Sequence, residues 1–118
     1  MSGSKNILRD KSYQFALQIV QLSRKLDEQR DYVLSKQILR SGTAIGALVR
    51  ESEYAQSKAD FAHKLSIALK EANETEYWLQ LLFDSQLIDQ SVFNELRALC
   101  IEIIKIATAS IKTAKGIK

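Results

Sequence analysis

The residues that could do chemistry are few, and their spacing is poor for catalysis. The 118-residue chain has one His, His63, and one Cys, Cys100. A general base needs a positioned partner and a pocket, and no Ser/His/Asp arrangement can be read from the spacing around His63. That residue stands two positions from Phe61 and two from Leu65, on the flank of an apolar stripe, and reads as a boundary residue. Cys100 falls on an apolar stripe itself. A buried Cys behaves as a small hydrophobe, whereas a nucleophilic thiol needs exposure and a depressed pKa. A single Cys excludes an intrachain disulfide, argues for a reducing compartment, and with a single His leaves no zinc site of Cys/His spacing. The carboxylates Glu51, Glu53, Glu71, Glu74 and Glu76 raise the question of a di-metal centre. Such centres take a Glu-x-x-His motif from each of two helices, which one His does not supply. An all-carboxylate metal enzyme on Glu51, Glu71 and Glu74 is a third reading. Pairing of these carboxylates with Arg40 or Arg50, which fixes helix register, explains the same residues. The expectation is no enzyme, no metal and no cofactor.

The cations carry the other possible chemistry. Net charge is +3, from 17 Lys/Arg and 14 Asp/Glu, but it is unevenly spread. Residues 1–50 hold nine basic and four acidic residues, residues 51–96 three and nine, and residues 97–118 five and one. A basic beginning and end thus flank an acidic middle. Such asymmetry marks a nucleic-acid partner or mutual pairing of the elements. The candidate nucleic-acid contacts are Lys11, Arg24, Lys25 and Lys36, then Lys105, Lys112 and Lys115. They are spread along helices rather than in a dense run, and no helix-turn-helix, zinc-finger or RNA-recognition signature accompanies them. Any RNA contact would be to backbone and shape. A solvated face accounts for the same residues.

The elements that position these residues are helical. The chain has no Pro, and its four Gly fall at positions 3, 42, 46 and 116, so turn punctuation is scarce. Phe15, Ile19, Leu22 and Leu26 step along one face of a first helix, from about Ser12 to Leu26. A second, from about Tyr32 to Tyr54, carries Leu34, Ile38, Ser41, Ile45 and Val49 or Leu48. Gly42 and Gly46 lie four apart inside it, which lets another backbone approach closely; a kink or break at Gly42 is the alternative. Ser57-x-x-Asp60 resembles a capping box opening a third helix, whose Phe61, Leu65, Ala68, Ala72, Thr75, Leu79 and Leu82 form a heptad-like seam. A fourth helix, capped by Asp89 or Ser91, repeats the rhythm at Phe93, Leu96, Cys100, Ile103, Ala107, Ser110 and Ala114, and Gly116 ends it.

Short links make neighbouring helices antiparallel, so the spacing predicts an all-α, up-down-up-down four-helix bundle over residues 11–116, after a flexible segment at 1–10. A second stripe on the third helix, Ile67, Glu71, Glu74, Trp78 and Leu81, exceeds what one core needs. With Arg40, Arg50 and the Gly42/Gly46 face, it marks a candidate oligomer interface. There is no GxGxxG or P-loop glycine pattern, no apolar run near the roughly 20 residues of a membrane span, and no secretory h-region. The expected location is the cytoplasm, away from membranes.

Two stretches carry a resemblance. Gln37-Ile38-Leu39-Arg40-Ser41-Gly42-Thr43-Ala44-Ile45-Gly46-Ala47 is similar to the second-helix motif of the 23S rRNA intervening-sequence protein family. Asp60-Phe61-Ala62-His63-Lys64-Leu65-Ser66-Ile67-Ala68-Leu69-Lys70-Glu71-Ala72-Asn73-Glu74-Thr75 resembles its third-helix motif, and Tyr77-Trp78-Leu79 follows in the expected place. The likeness covers about residues 6–115. The chain departs at Leu48, where the family commonly has Asn. The resemblance implies a left-handed antiparallel four-helix bundle assembling as a ring, often a homopentamer, with no enzymatic activity. It also implies likeness in fold to a basic pentameric protein of diversity-generating retroelements that associates with nucleic acid and reverse transcriptase. Two functions follow as expectations. One is a homo-oligomeric bundle that binds RNA or a nucleoprotein through basic surfaces. The other is a protein-interaction scaffold with no nucleic-acid role.

Overall fold

Every helix of this chain is long because nothing in the sequence interrupts one. The computed structural model describes the backbone of residues 4–116 and the side chains of residues 7–116. It contains α1 (Ser4–Glu28), α2 (Tyr32–Ser52), α3 (Lys58–Asp84) and α4 (Gln90–Ala114), and no strand among the described residues. Helix α1 starts at Ser4 rather than near Ser12, so residues 4–10 of the segment expected to be flexible are helical. The reason is Leu8, only 2% exposed, which extends the α1 core stripe by two turns. Residues 1–3 of that segment lie outside the described residues.

Local chemistry fixes the boundaries. The Ser57 hydroxyl accepts from the Asp60 amide at 3.0 Å, and the Asp60 carboxylate accepts from the Gln56 amide at 3.2 Å, a reciprocal cap on α3. Of the two candidate caps of α4, Asp89 is the one used: it accepts from the Val92 amide at 2.9 Å. Helices α1 and α3 both end with a non-glycine residue in the left-handed region, Arg30 (φ 67) and Gln86 (φ 64). There the Asp31 amide reaches Leu26 O (2.8 Å) and the Leu87 amide reaches Leu82 O (2.9 Å), closing the last turns in Schellman fashion. These tight ends fold each helix back on the one before.

The contacts fix the topology. Arg9 meets Glu53 and Ser23 meets Ser35, so α1 and α2 run antiparallel. Arg40 meets Glu71 and Glu74, and Glu51 meets Lys64, which does the same for α2 and α3. Glu76–Arg97 and the Phe83–Phe93 stack set α3 against α4, and Lys11–Glu102 sets α1 beside α4. Each helix packs on two neighbours, the α1–α4 seam being the sparsest, in a bundle of 45 × 23 × 22 Å. The expected stripes form the core except at Leu34, Phe61, Ser110 and Ala114, which are half-buried; Ser35 and Ala62 are the buried residues at the starts of α2 and α3. Helix α2 runs unbroken through Gly42, so the helix does not break there. A Cβ at Gly42 would stand 2.8 Å from Ile19 Cγ2, and one at Gly46 would stand 3.4 Å from Ser12 O. The two glycines thus allow α1 and α2 to approach closely, Gly42 without slack.

Candidate functional site

The α2–α3 face gathers most of the side chains that the sequence marked for an interface. Successive positions on the second stripe of α3 bring Glu71, Glu74 and Trp78 opposite Arg40 of α2. Arg40 Nη1 donates to Glu71 Oε2 at 3.2 Å, and Nη2 donates to Glu74 Oε2 at 2.8 Å. The Trp78 indole Nε1 donates to the same Glu74 oxygen at 3.1 Å. Arg40 Nη2 also lies 3.1 Å from Glu71 Oε1, but off the hydrogen-bonding direction, so that solvent-shielded oxygen receives no hydrogen bond. Hydrogen bonds from Arg40 first, then from Trp78, hold the Glu74 carboxyl below the usual carboxylate range. The two carboxylates in turn hold the Arg40 guanidinium above its ordinary value. Together Arg40, Glu71 and Glu74 place two carboxylates against one guanidinium. Ile67 and Leu81 flank the cluster, half-buried, and Tyr77 is exposed beside it, edge-on to Trp78 at 5.0 Å. Beneath the cluster, Thr75 Oγ1 donates to Ser41 Oγ at 2.9 Å inside the core.

Arg50 is elsewhere. It projects from the α1–α2 side of α2, and its guanidinium carbon lies 5.8 Å from the Tyr13 ring centroid. A groove runs beside it between α1 and α2, lined by Arg9, Ser12, Tyr13, Thr43, Gly46 and Arg50. Its floor exists because Gly46 and its small neighbours leave the space open. Leu17, one turn after Tyr13 on α1, and Tyr54, just past α2, are exposed. Sequence reading did not single out Tyr13, Leu17 or Tyr54 for a surface. The signal was present: Tyr13 and Leu17 are apolar residues four apart, away from the Phe15/Ile19 stripe.

The candidate nucleic-acid cations do not form one patch. Arg24, Lys25 and Lys36 lie at the end of the bundle that holds the 29–31 and 85–89 links. Lys105, Lys112 and Lys115 lie in the half nearer the other end. Lys11 is engaged with Glu102 at 3.1 Å. Among the described residues, none of the other six has a carboxylate within 4.0 Å. Lys115 lines a shallow groove with Lys58 and His63 between the start of α3 and the end of α4, and His63 is exposed there.

The catalytic alternatives are dispersed. Glu51 pairs with Lys64 at 3.3 Å, and not with Glu71 or Glu74; among the described residues no group of three or more His, Cys, Asp or Glu could hold a metal ion. Cys100 is fully buried and donates to Ala72 O at 3.3 Å. Burial, with Glu76 nearby, pushes its thiol up to about 12. It is a packing residue. No helix is long and apolar enough to cross a membrane among the described residues.

Comparison with known proteins agrees with these motifs. A family model described as 23S rRNA-intervening sequence protein matches residues 4–109. A crystal structure of a protein of unknown function from the S23 ribosomal protein family of Bacteroides thetaiotaomicron is 51% identical and superposes with a TM-score of 0.91. The match covers 93% of this chain and 99% of that one. No curated protein matches the chain.

Proposed function

The chain belongs to the 23S rRNA-intervening sequence protein family, and from that premise we propose a non-enzymatic, cytoplasmic homo-oligomer, a pentamer by the family resemblance, that offers a basic surface to RNA or a nucleoprotein. The observation that supports it is the division of charge along the bundle. The half built from residues 4–16, 42–68 and 101–116 holds nine basic and five acidic residues. The half built from residues 17–41 and 69–100 holds seven and nine. A polyanion is drawn to the first half and repelled by the second, so Lys105, Lys112 and Lys115 are the better candidates and Arg24, Lys25 and Lys36 the poorer ones. Contacts of this kind neutralise phosphates and release counterions, which makes affinity fall steeply with salt.

The test is a filter-binding titration of a structured RNA across salt, on the native chain and on Lys112→Glu/Lys115→Glu. The native chain should bind with a steep salt slope. The variant should lose affinity and about 2 in that slope, one for each phosphate contact, while light scattering shows the oligomer intact. Absence of binding even at low salt would end the RNA part of the proposal. The scaffold reading has its own support: Lys11–Glu102, Lys64–Glu51 and Arg97–Glu76 already join basic to acidic residues across helices. Under that reading, the same variant disturbs assembly or changes nothing.

A further inference from the structure

Two charged groups in the bundle lack the partner their chemistry calls for, and they sit on different faces. The Arg40–Glu71–Glu74 cluster on the α2–α3 face pairs two carboxylates with one cation within 4.0 Å among the described residues, Lys70 acting on Glu74 from farther off, and Glu71 Oε1 is shielded without a donor. Arg50 has no carboxylate within 4.0 Å among the described residues and rests against Tyr13. Arg40 and Arg50 are ten residues apart on α2, which turns them about 80° from one another around its axis. The two faces therefore never meet within one chain. Each also carries apolar surface without cover: Tyr13 and Leu17 beside the groove, Tyr77 beside the cluster, these three being 54%, 48% and 59% exposed.

We propose that the α1–α2 groove of one chain receives the α3 outer face of a second copy, with Arg50 opposite the Glu71/Glu74 cluster and Tyr77 on the floor of Gly46 and Ala47. This rests on the homo-oligomer reading above and gives it an interface. The charges select the arrangement. A groove-to-groove dimer would oppose Arg50 to Arg50, and a cluster-to-cluster dimer would oppose two negative clusters; like charges brought together at an interface are strongly unfavourable. Only the mixed contact matches signs. Because its two surfaces differ, each copy uses both, and the contact propagates head to tail until a rotation closes it.

Engineered cysteines test it with little background, since Cys100 is buried and its thiol is pushed up to about 12. Ala47 and Tyr77 are both exposed, so Ala47→Cys and Tyr77→Cys can be made in one chain and oxidised in the native oligomer. The expected result is a ladder of disulfide-linked species extending past the dimer. A mixture of the two single variants should stop at the dimer, and each single variant alone should stay uncrosslinked. Dimers from either single variant alone would overturn the proposal in favour of a symmetric contact. So would the absence of a ladder in a chain that light scattering shows to be oligomeric. A native chain that is monomeric at micromolar concentration removes the oligomer reading itself, and the interface with it. Arg50→Glu gives a second measurement. Assembly should weaken at least tenfold while circular dichroism keeps the helices. If instead assembly is intact and only RNA affinity falls, the groove belongs to nucleic acid and the proposal is wrong.

Discussion

Helix α1 packs on two neighbours in two different ways. Against α2 it is locked: a three-residue link joins the helices, Ile19 sits where any side chain on Gly42 would go, and Ser23 and Ser35 share a buried hydrogen bond of 2.6 Å. Against α4 it is loose. A cleft of about 270 Å³ opens between them, lined by Gln18, Gln21, Lys25, Leu22, Ile88 and Glu95 among others. Among the described residues one ion pair crosses that seam, Lys11–Glu102, and it is partly exposed. The cause is the size of the residues that face each other. Gly, Ser and Ala on α2 let backbones approach, whereas Gln and Lys on α1 hold α4 off and keep their ends in water. The stability of a bundle built this way is concentrated in the α1–α2 seam, and opening begins at α1–α4.

Gly42→Ala attacks that comparison at its strongest point. The new methyl would lie 2.8 Å from Ile19 Cγ2, and overpacking of this kind costs about 1–3 kcal/mol. Ile19→Ala alone leaves a cavity and costs about 2–5 kcal/mol. In the double variant the second change removes the atoms that the first collides with, so urea unfolding should show a total well below the sum. Strict additivity would mean that α1 shifts freely on α2, and the two seams would then be alike.

How much of this could be read from the sequence differs between the two seams. The Gly42/Gly46 spacing announces a close approach, because only missing side chains permit one. The identity of the approaching residue, Ile19, came only with the structure, since helix rotation sets it. The core stripes were legible for the same periodic reason, down to Cys100 and Thr75. At the candidate interface, the α3 stripe and Arg40 were readable as opposite charges in facing motifs. Arg50 was assigned to the same carboxylates because nothing in the sequence states that α2 turns it toward Tyr13. The cations read as one class too. Their separation into a basic and an acidic half depends on chain direction within the bundle, which places Lys115 beside Lys58 and Lys36 at the end that holds the 85–89 link. Leu8 and the early start of α1 were missed because a polar run broken only by the adjacent Ile7 and Leu8 gives no period to detect.

Ser35→Ala sharpens the comparison at a second point of the locked seam. The Ser35 hydroxyl donates to Ser23 O at 3.0 Å and pairs with Ser23 Oγ. Its removal leaves a buried hydroxyl and a carbonyl short of a partner, a loss of about 1–3 kcal/mol. The effect should appear in the denaturant midpoint, with the slope unchanged. A neutral result would mean that water replaces the lost hydroxyl, and hence that the seam is not dry.

Lys11→Gln tests the loose seam, where the smallest effect is expected. The Lys11–Glu102 pair spans 3.1 Å, with a third of the lysine side chain and about half of the glutamate side chain exposed. Exposed pairs of this kind are worth about 0.2–1 kcal/mol and weaken with salt. The variant should therefore unfold within about 0.5 kcal/mol of the native chain, and the gap should close further as ionic strength rises. Amide exchange along the facing stretches of α1 and α4 should be nearly as fast in the native chain as in the variant, because the ion pair is not what limits opening there. A loss above about 2 kcal/mol, outside the range of surface pairs, would make Lys11 the bolt of this seam. The contrast between the two sides of α1 would then be one of chemistry, ionic against close-packed, rather than one of tightness.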